Sequence, residues 1–128
     1  MTNNDPLSNA LSRIHNAEQR GKRVIETSTD SKMIRRVLDL MNEAGYIGTY
    51  EAHDDGKGLT VNLIGQLNAC NAIKPRFKCS MEDYAKYEQR YLPAQDFGIM
   101  LISTNDGILT HNEAKERGKG GRLISYAY

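Results

Sequence analysis

Apolar residues recur at helical spacing near the start of the chain, with Leu7, Ala10, Leu11, Ile14 and Ala17 falling on one side. Asp5 followed by Pro6 supplies a start, because Asp can cap the first amides and proline's fixed φ suits the first helical position. Gly21 supplies a stop, so a first helix is expected over about 6–20. A short strand over 23–27 follows, then a second helix capped from Ser28, Thr29 or Asp30. Its apolar side is Met33, Ile34, Val37, Leu38 and Met41, and Gly45 ends it. Residues 46–53, a turn over 54–58 and the alternating Leu59, Val61 and Leu63 read as a β-hairpin with one face on the two helices. The order is αβαββ.

Periodicity lapses over 66–71, which divides the chain into an N-terminal α/β lobe, 1–66, and a C-terminal β-rich lobe, 67–128. The second lobe opens with "AIKPRFKCS", where Lys74, Arg76 and Lys78 alternate and would share one face of an extended segment, with Pro75 demanding an edge position. Two readings of that strip stand: an edge guarded against pairing with other chains, or a phosphate-facing strip with Phe77 available for stacking. Ser80 with Asp83 resembles a helix start, and Tyr84, Tyr87 and Tyr91 follow at spacing three and four. Such a stripe reads first as an amphipathic packing face and second as a base-stacking platform. Pro93 ends the helix. A strand over 98–102, the loop "STNDG", a helix over 110–117 with a Thr110/Glu113 capping box, a "GKGG" turn and a strand over 122–128 complete the chain. The expected fold is α+β: an αβαββ lobe packed on a mostly β lobe with short helices.

Composition narrows the chemistry. At 39% hydrophobic and 26% charged, the 128 residues suit one compact unit or two small lobes rather than a disordered chain. No apolar run approaches the roughly 20 residues of a membrane span, and the opening residues do not read as a secretory signal, so a cytoplasmic protein with no membrane partner is expected. Cys70 and Cys79 lack CxxC spacing and read as reduced, partly buried thiols. His15, His53 and His111 sit on different elements without metal-ligand spacing and read as surface or partly satisfied histidines. Neither a phosphate-binding GxxxxGK[ST] loop nor a GxSxG elbow occurs. A nucleophile at Ser103 or Cys79 has no base nominated for it, so a small hydrolase is a weak alternative. No catalytic residue, metal, cofactor or small-molecule substrate is expected.

Binding fits better. The loop 103–107 packs hydroxyl, amide and backbone donors between two apolar runs and leads towards the capped helix at Thr110, so donors and a positive helix end could meet on one surface. The same composition also suits an ordinary turn. Net charge is only +1, so any RNA surface must come from local arrangement. Lys32, Arg35 and Arg36, on the polar side of the second helix, read as a solvated face or a phosphate-contacting one.

The closing stretch "GIMLISTNDGILTHNEAKERGKGGRLISYAY" closely resembles the signature of the small-subunit ribosomal protein S-eight family: an apolar strand, S-T-S-x-G, an apolar pair, an E-A-R/K helix and a G-G-x strand. "DPLSNALSRIHNAEQRGK" and "SKMIRRVLDLMNEAGYI" resemble its two helices, and "PRF" with "LPAQDFG" its archaeal and eukaryotic branch. The resemblance implies a structural, non-enzymatic constituent of the small ribosomal subunit. Such a protein is a primary rRNA binder of the central domain, supports subunit assembly and contacts neighbouring small-subunit proteins. It implies RNA contacts at Ser103, Thr104, Asn105 and Gly107, close backbone approach at Gly120 and Gly121, and further contacts at Arg13, Asn16, Ser31 and Lys32. Lys74, Arg76 and Phe77 join as the basic strip and its aromatic. Asn105 stands where the pattern has a second Ser, and Arg122 where many members carry Glu, turning an acceptor into a fixed cation. Repression of an mRNA that imitates the rRNA site is the family-level alternative.

Overall fold

The computed structural model describes residues 6–27, 30–54, 56, 58–94 and 97–128. Asp5, Ser28 and Thr29, expected as helix caps, lie outside the described residues. The chain forms two compact units, 1–71 and 72–128.

In the first unit α1 (Pro6–Gln19) and α2 (Lys32–Glu43) follow the predicted spacing, burying Leu7, Leu11 and Ile14 on one and Ile34, Val37, Leu38 and Met41 on the other. Each fully buried aliphatic side chain of this kind contributes about 1.5–3 kcal/mol relative to an exposed one. The cap of α2 is Ser31, whose hydroxyl accepts the Ile34 N–H at 3.1 Å. Asp30 is not that cap, because its carboxylate pairs with Arg35, at 2.7 Å from Oδ1 to Nε. That bond holds the Asp30 carboxyl below the usual carboxylate range. Strands β1 (Val24–Thr27), β2 (Tyr50–Ala52) and β3 (Leu59–Asn62) form an antiparallel sheet of order β1-β3-β2, with Ile25 opposite Val61 and Thr27 opposite Leu59. The predicted hairpin is present with shorter strands.

Strand β4 (Cys70–Ala72) carries the chain out of the first unit. In the second unit β5 (Lys78–Cys79) and β6 (Ile99–Thr104) both pair antiparallel with β8 (Gly121–Ala127), and β7 (Gly107–Thr110) pairs with β6. Two short helices, α3 (Tyr84–Tyr91) and α4 (His111–Glu116), complete it. Residues 74–77 are not the alternating strip expected from sequence. They form a bend before β5, closed by the Phe77 N–H on the Pro75 carbonyl at 2.9 Å, since proline offers no amide to a ladder.

The tyrosine stripe is a packing face. Tyr84 and Tyr87 are buried, and the rings of Phe77, Tyr87, Tyr91, Tyr126 and Tyr128 stack in succession at 5.6–6.3 Å. Tyr84, pushed up to about 12 by burial, donates its hydroxyl to the Lys119 carbonyl at 2.7 Å. This ties the core to the turn ahead of Gly120. Tyr84→Phe deletes one bond and leaves a partly buried carbonyl short of a donor, so a loss of about 1 kcal/mol is expected in urea melts. A variant as stable as the parent would remove that tie from the account.

Candidate nucleic-acid interface

The "STNDG" stretch is a hairpin. Strand β6 runs through Thr104, only Asn105 and Asp106 form the turn, and β7 begins at Gly107, opposite Thr104. The sequence reading stopped the strand at 102 and missed β7. The Thr104 hydroxyl makes the tight turn possible, donating to the Gly107 carbonyl at 2.8 Å and accepting the Asp106 N–H at 3.0 Å. Gly107 takes φ +100, a region that side chains resist. Thr104 is thus a staple of the tip, its hydroxyl already engaged as donor and acceptor within the turn. Ser103 and Asn105 carry no comparable side-chain bond among the described residues. Arg117 Nη1, at 3.4 Å, and Lys119 Nζ, at 3.9 Å, approach the Asp106 carboxylate.

The expected meeting of this tip with a helix N-terminus does not occur. Helix α4 is capped by Thr110, whose hydroxyl accepts the Glu113 N–H at 3.3 Å, but β7 separates that cap from the tip by about 10 Å of extended chain. What the tip does meet is the start of β8. Ser103 pairs with Arg122, and a bulge between Leu101 and Ile102 resets the register just before it. A Cβ on Gly121 would overlap the Ser103 carbonyl oxygen, and one on Gly120 would stand 2.6 Å from the Cys79 carbonyl. The paired glycines therefore bring β8 against backbone on both sides.

An open groove of about 520 Å3 lies there, lined by Ser103, Thr104, Asn105, Gly120, Gly121 and Arg122, by Lys78 of the basic strip, and by Cys79, Ser80 and Met81, which were not expected as contacts. Gly107 shapes the tip without lining the groove. Lys78 is the cross-strand partner of Arg122, and both are exposed. Two like charges directly opposite destabilise a strand pair unless an anion offsets them. Arg122 is steadied by donating to the Arg76 carbonyl at 3.3 Å. Ser80 donates to the Asp83 carboxylate from its amide, at 3.1 Å, and from its hydroxyl, at 3.0 Å, which fixes the chain beside Met81 and holds the Asp83 carboxyl low. Burial pushes the Cys79 thiol up to about 11, so it is a protonated thiol at neutral pH and no ready nucleophile.

Phe77, Lys74 and Arg76 do not line this groove. The Phe77 ring lies 5.9 Å from that of Tyr87, with the Arg90 guanidinium over it at 5.2 Å, so its faces are occupied within the fold. In the first unit Arg13 and Asn16 line a second open groove, of about 530 Å3, together with Arg20, Lys22 and the exposed Val24. Arg13 donates to the Glu26 carbonyl at 3.2 Å. Ser31 and Lys32 lie outside that groove, Ser31 as the helix cap and Lys32 exposed. Arg20, Lys22 and Met81 were not singled out from the sequence, whereas Lys78 was, as the last cation of the basic strip, and the pairing of β5 with β8 is what sets it opposite Arg122.

Small donors, opposed cations and glycine-approached backbone around an open groove are features of an RNA-binding protein of α+β fold. The family comparison agrees: residues 5–128 match the family described as Ribosomal protein S8. The chain belongs to that family and is a ribosomal protein of the small subunit that binds rRNA.

Proposed function

We propose that the groove of the second unit is the principal rRNA grip, and that it holds an irregular helix in the central domain of small-subunit rRNA. Binding as a primary RNA partner in the cytoplasmic ribosome, the protein would fix an RNA junction and support subunit assembly beside neighbouring small-subunit proteins. The observation that carries this reading is the exposed Lys78–Arg122 pair that lines one groove with Ser103 and Asn105, Arg122 standing between Lys78 and Ser103 on neighbouring strands, in a chain of net charge +1. Cations placed opposite each other need an anionic partner, and small donors with bare backbone suit the 2′-hydroxyls and base edges of non-helical RNA. Arg13 and Asn16 give the first unit a smaller contact of the same kind.

Binding of the full chain to a central-domain transcript across a salt series tests this. Lys78→Ala and Arg122→Ala should each weaken binding and flatten the slope of log K against log salt by about 0.9. Equal affinity for an unrelated duplex would defeat the reading, as would unchanged slopes in both variants.

A further inference from the structure

Met81 is one of four large hydrophobic side chains exposed among the described residues, at 43%, and it stands in the groove. Its surroundings make that position informative. The other groove residues are Ser, Thr, Asn, Lys, Arg and Gly with the buried Cys79, so Met81 is the one large exposed hydrophobic side chain that lines it. Isolated exposed apolar residues are ordinary on a protein surface. Here, however, the backbone that carries the side chain is held in place, because the Ser80–Asp83 bonds close the single 3-10 turn over Met81–Asp83 that leads into α3.

We propose that Met81 is the apolar seat for one unpaired base of the bound RNA. The thioether is flexible and polarisable and packs well on an aromatic face. A base lying on Met81 would turn its edge towards Ser103 and Asn105, whose side-chain donors and acceptors can read it, while Lys78 and Arg122 hold the adjoining phosphates. A continuous duplex hides its base faces and offers nothing for Met81 to cover, so the side chain selects for an unstacked nucleotide and contributes specificity rather than charge. This proposal rests on the RNA reading of the groove.

The test uses the full chain, methyl-labelled at methionine, with a central-domain transcript. On binding, the Met81 methyl resonance should move upfield through the ring current of the base, while Met33 and Met41 of the first unit serve as references. Met81→Leu should bind within about twofold of the parent and Met81→Gln about 3- to 10-fold more weakly, with an unchanged salt slope. Replacing single nucleotides by abasic ones should reveal one position at which the Met81→Gln penalty disappears. Tight, transcript-selective binding with a stationary Met81 methyl, or with Met81→Gln equal to the parent, overturns the role of Met81 alone. A parent protein that does not prefer the transcript to an unrelated duplex overturns the RNA reading and this inference together.

Discussion

Gly121→Ala is expected to cost about 3 kcal/mol of stability and to weaken RNA binding more than tenfold. The added methyl would fall on the Ser103 carbonyl oxygen and within 3.0 Å of the Ile102 methyl. Neither has room to give: the Ser103 carbonyl is held on β6 by pairing with β7 on one side and β8 on the other, and the Ile102 side chain is fully buried. Overpacking typically costs 1–3 kcal/mol, and an overlap with ladder backbone belongs at the upper end. Relief requires β8 to withdraw from β6, which pulls Gly120 and Arg122 out of line with Ser103 and opens the groove, so stability and RNA affinity fall together. Gly107→Ala is the informative control. That glycine has φ +100 and open space around its Cβ position, so its variant bears only conformational strain, about 1–2 kcal/mol. Urea melts and transcript binding on both variants make the comparison; Gly121→Ala within 0.5 kcal/mol of the parent would contradict the close approach.

Those two glycines were singled out through the family resemblance, at the point where local patterns stop. Helices α1 and α2 and the starts at Ser80 and Thr110 were legible because their determinants lie within a few residues: apolar spacing, a capping oxygen, a terminating glycine. Strand β7 was not legible. Ser103, Thr104, Asn105, Asp106 and Gly107 have the composition of a loop, and only pairing with β7 and β8 makes strand of the first two. The basic strip failed for a complementary reason. Alternation of Lys74, Arg76 and Lys78 presupposes regular extension, and the bend at Pro75 breaks it, leaving Lys78 at the groove and sending Phe77 to the tyrosine stack. Similarly, Asp30 looked like a cap until Arg35 claimed its carboxylate, and Ser31, one residue on, serves instead.

Substituting His111 should produce the second large effect: of the two expectations, surface or partly satisfied, the second holds, because the ring is fully buried with one nitrogen hydrogen-bonded. It opens α4, its Nδ1 accepts the Met100 N–H at 3.0 Å, and so the neutral ring carries its proton on Nε2. That atom faces Glu88 Oε1 at 3.0 Å but off the N–H line, so the contact is a close approach rather than a well-formed hydrogen bond, and the same carboxylate takes Lys115 Nζ at 3.1 Å. Burial lowers the imidazole's affinity for a proton, the Glu88 carboxylate raises it and the Lys115 ammonium lowers it; the net shift is downwards. A donated amide at Nδ1 further opposes protonation there, which is why we assign the neutral form. The folded protein therefore refuses a proton that the unfolded chain accepts near its ordinary value of about 6.5. Above that pH the histidine costs nothing. As pH falls below it, stability declines by at most about 1.4 kcal/mol per unit, levelling off once the folded protein also takes up the proton. At pH 7.5 His111→Ala should cost about 3 kcal/mol, from the lost packing and an orphaned Met100 amide in the core. His111→Asn offers a carbonyl where Nδ1 stood, so it should retain part of that loss and, having no proton to gain, show a flatter decline between pH 7.5 and 5.5 than the parent. Urea melts at the two pH values, with hydrogen exchange of the Met100 amide as the local readout, decide it. A parent and His111→Asn with equal pH dependence would show that some other group carries the titration.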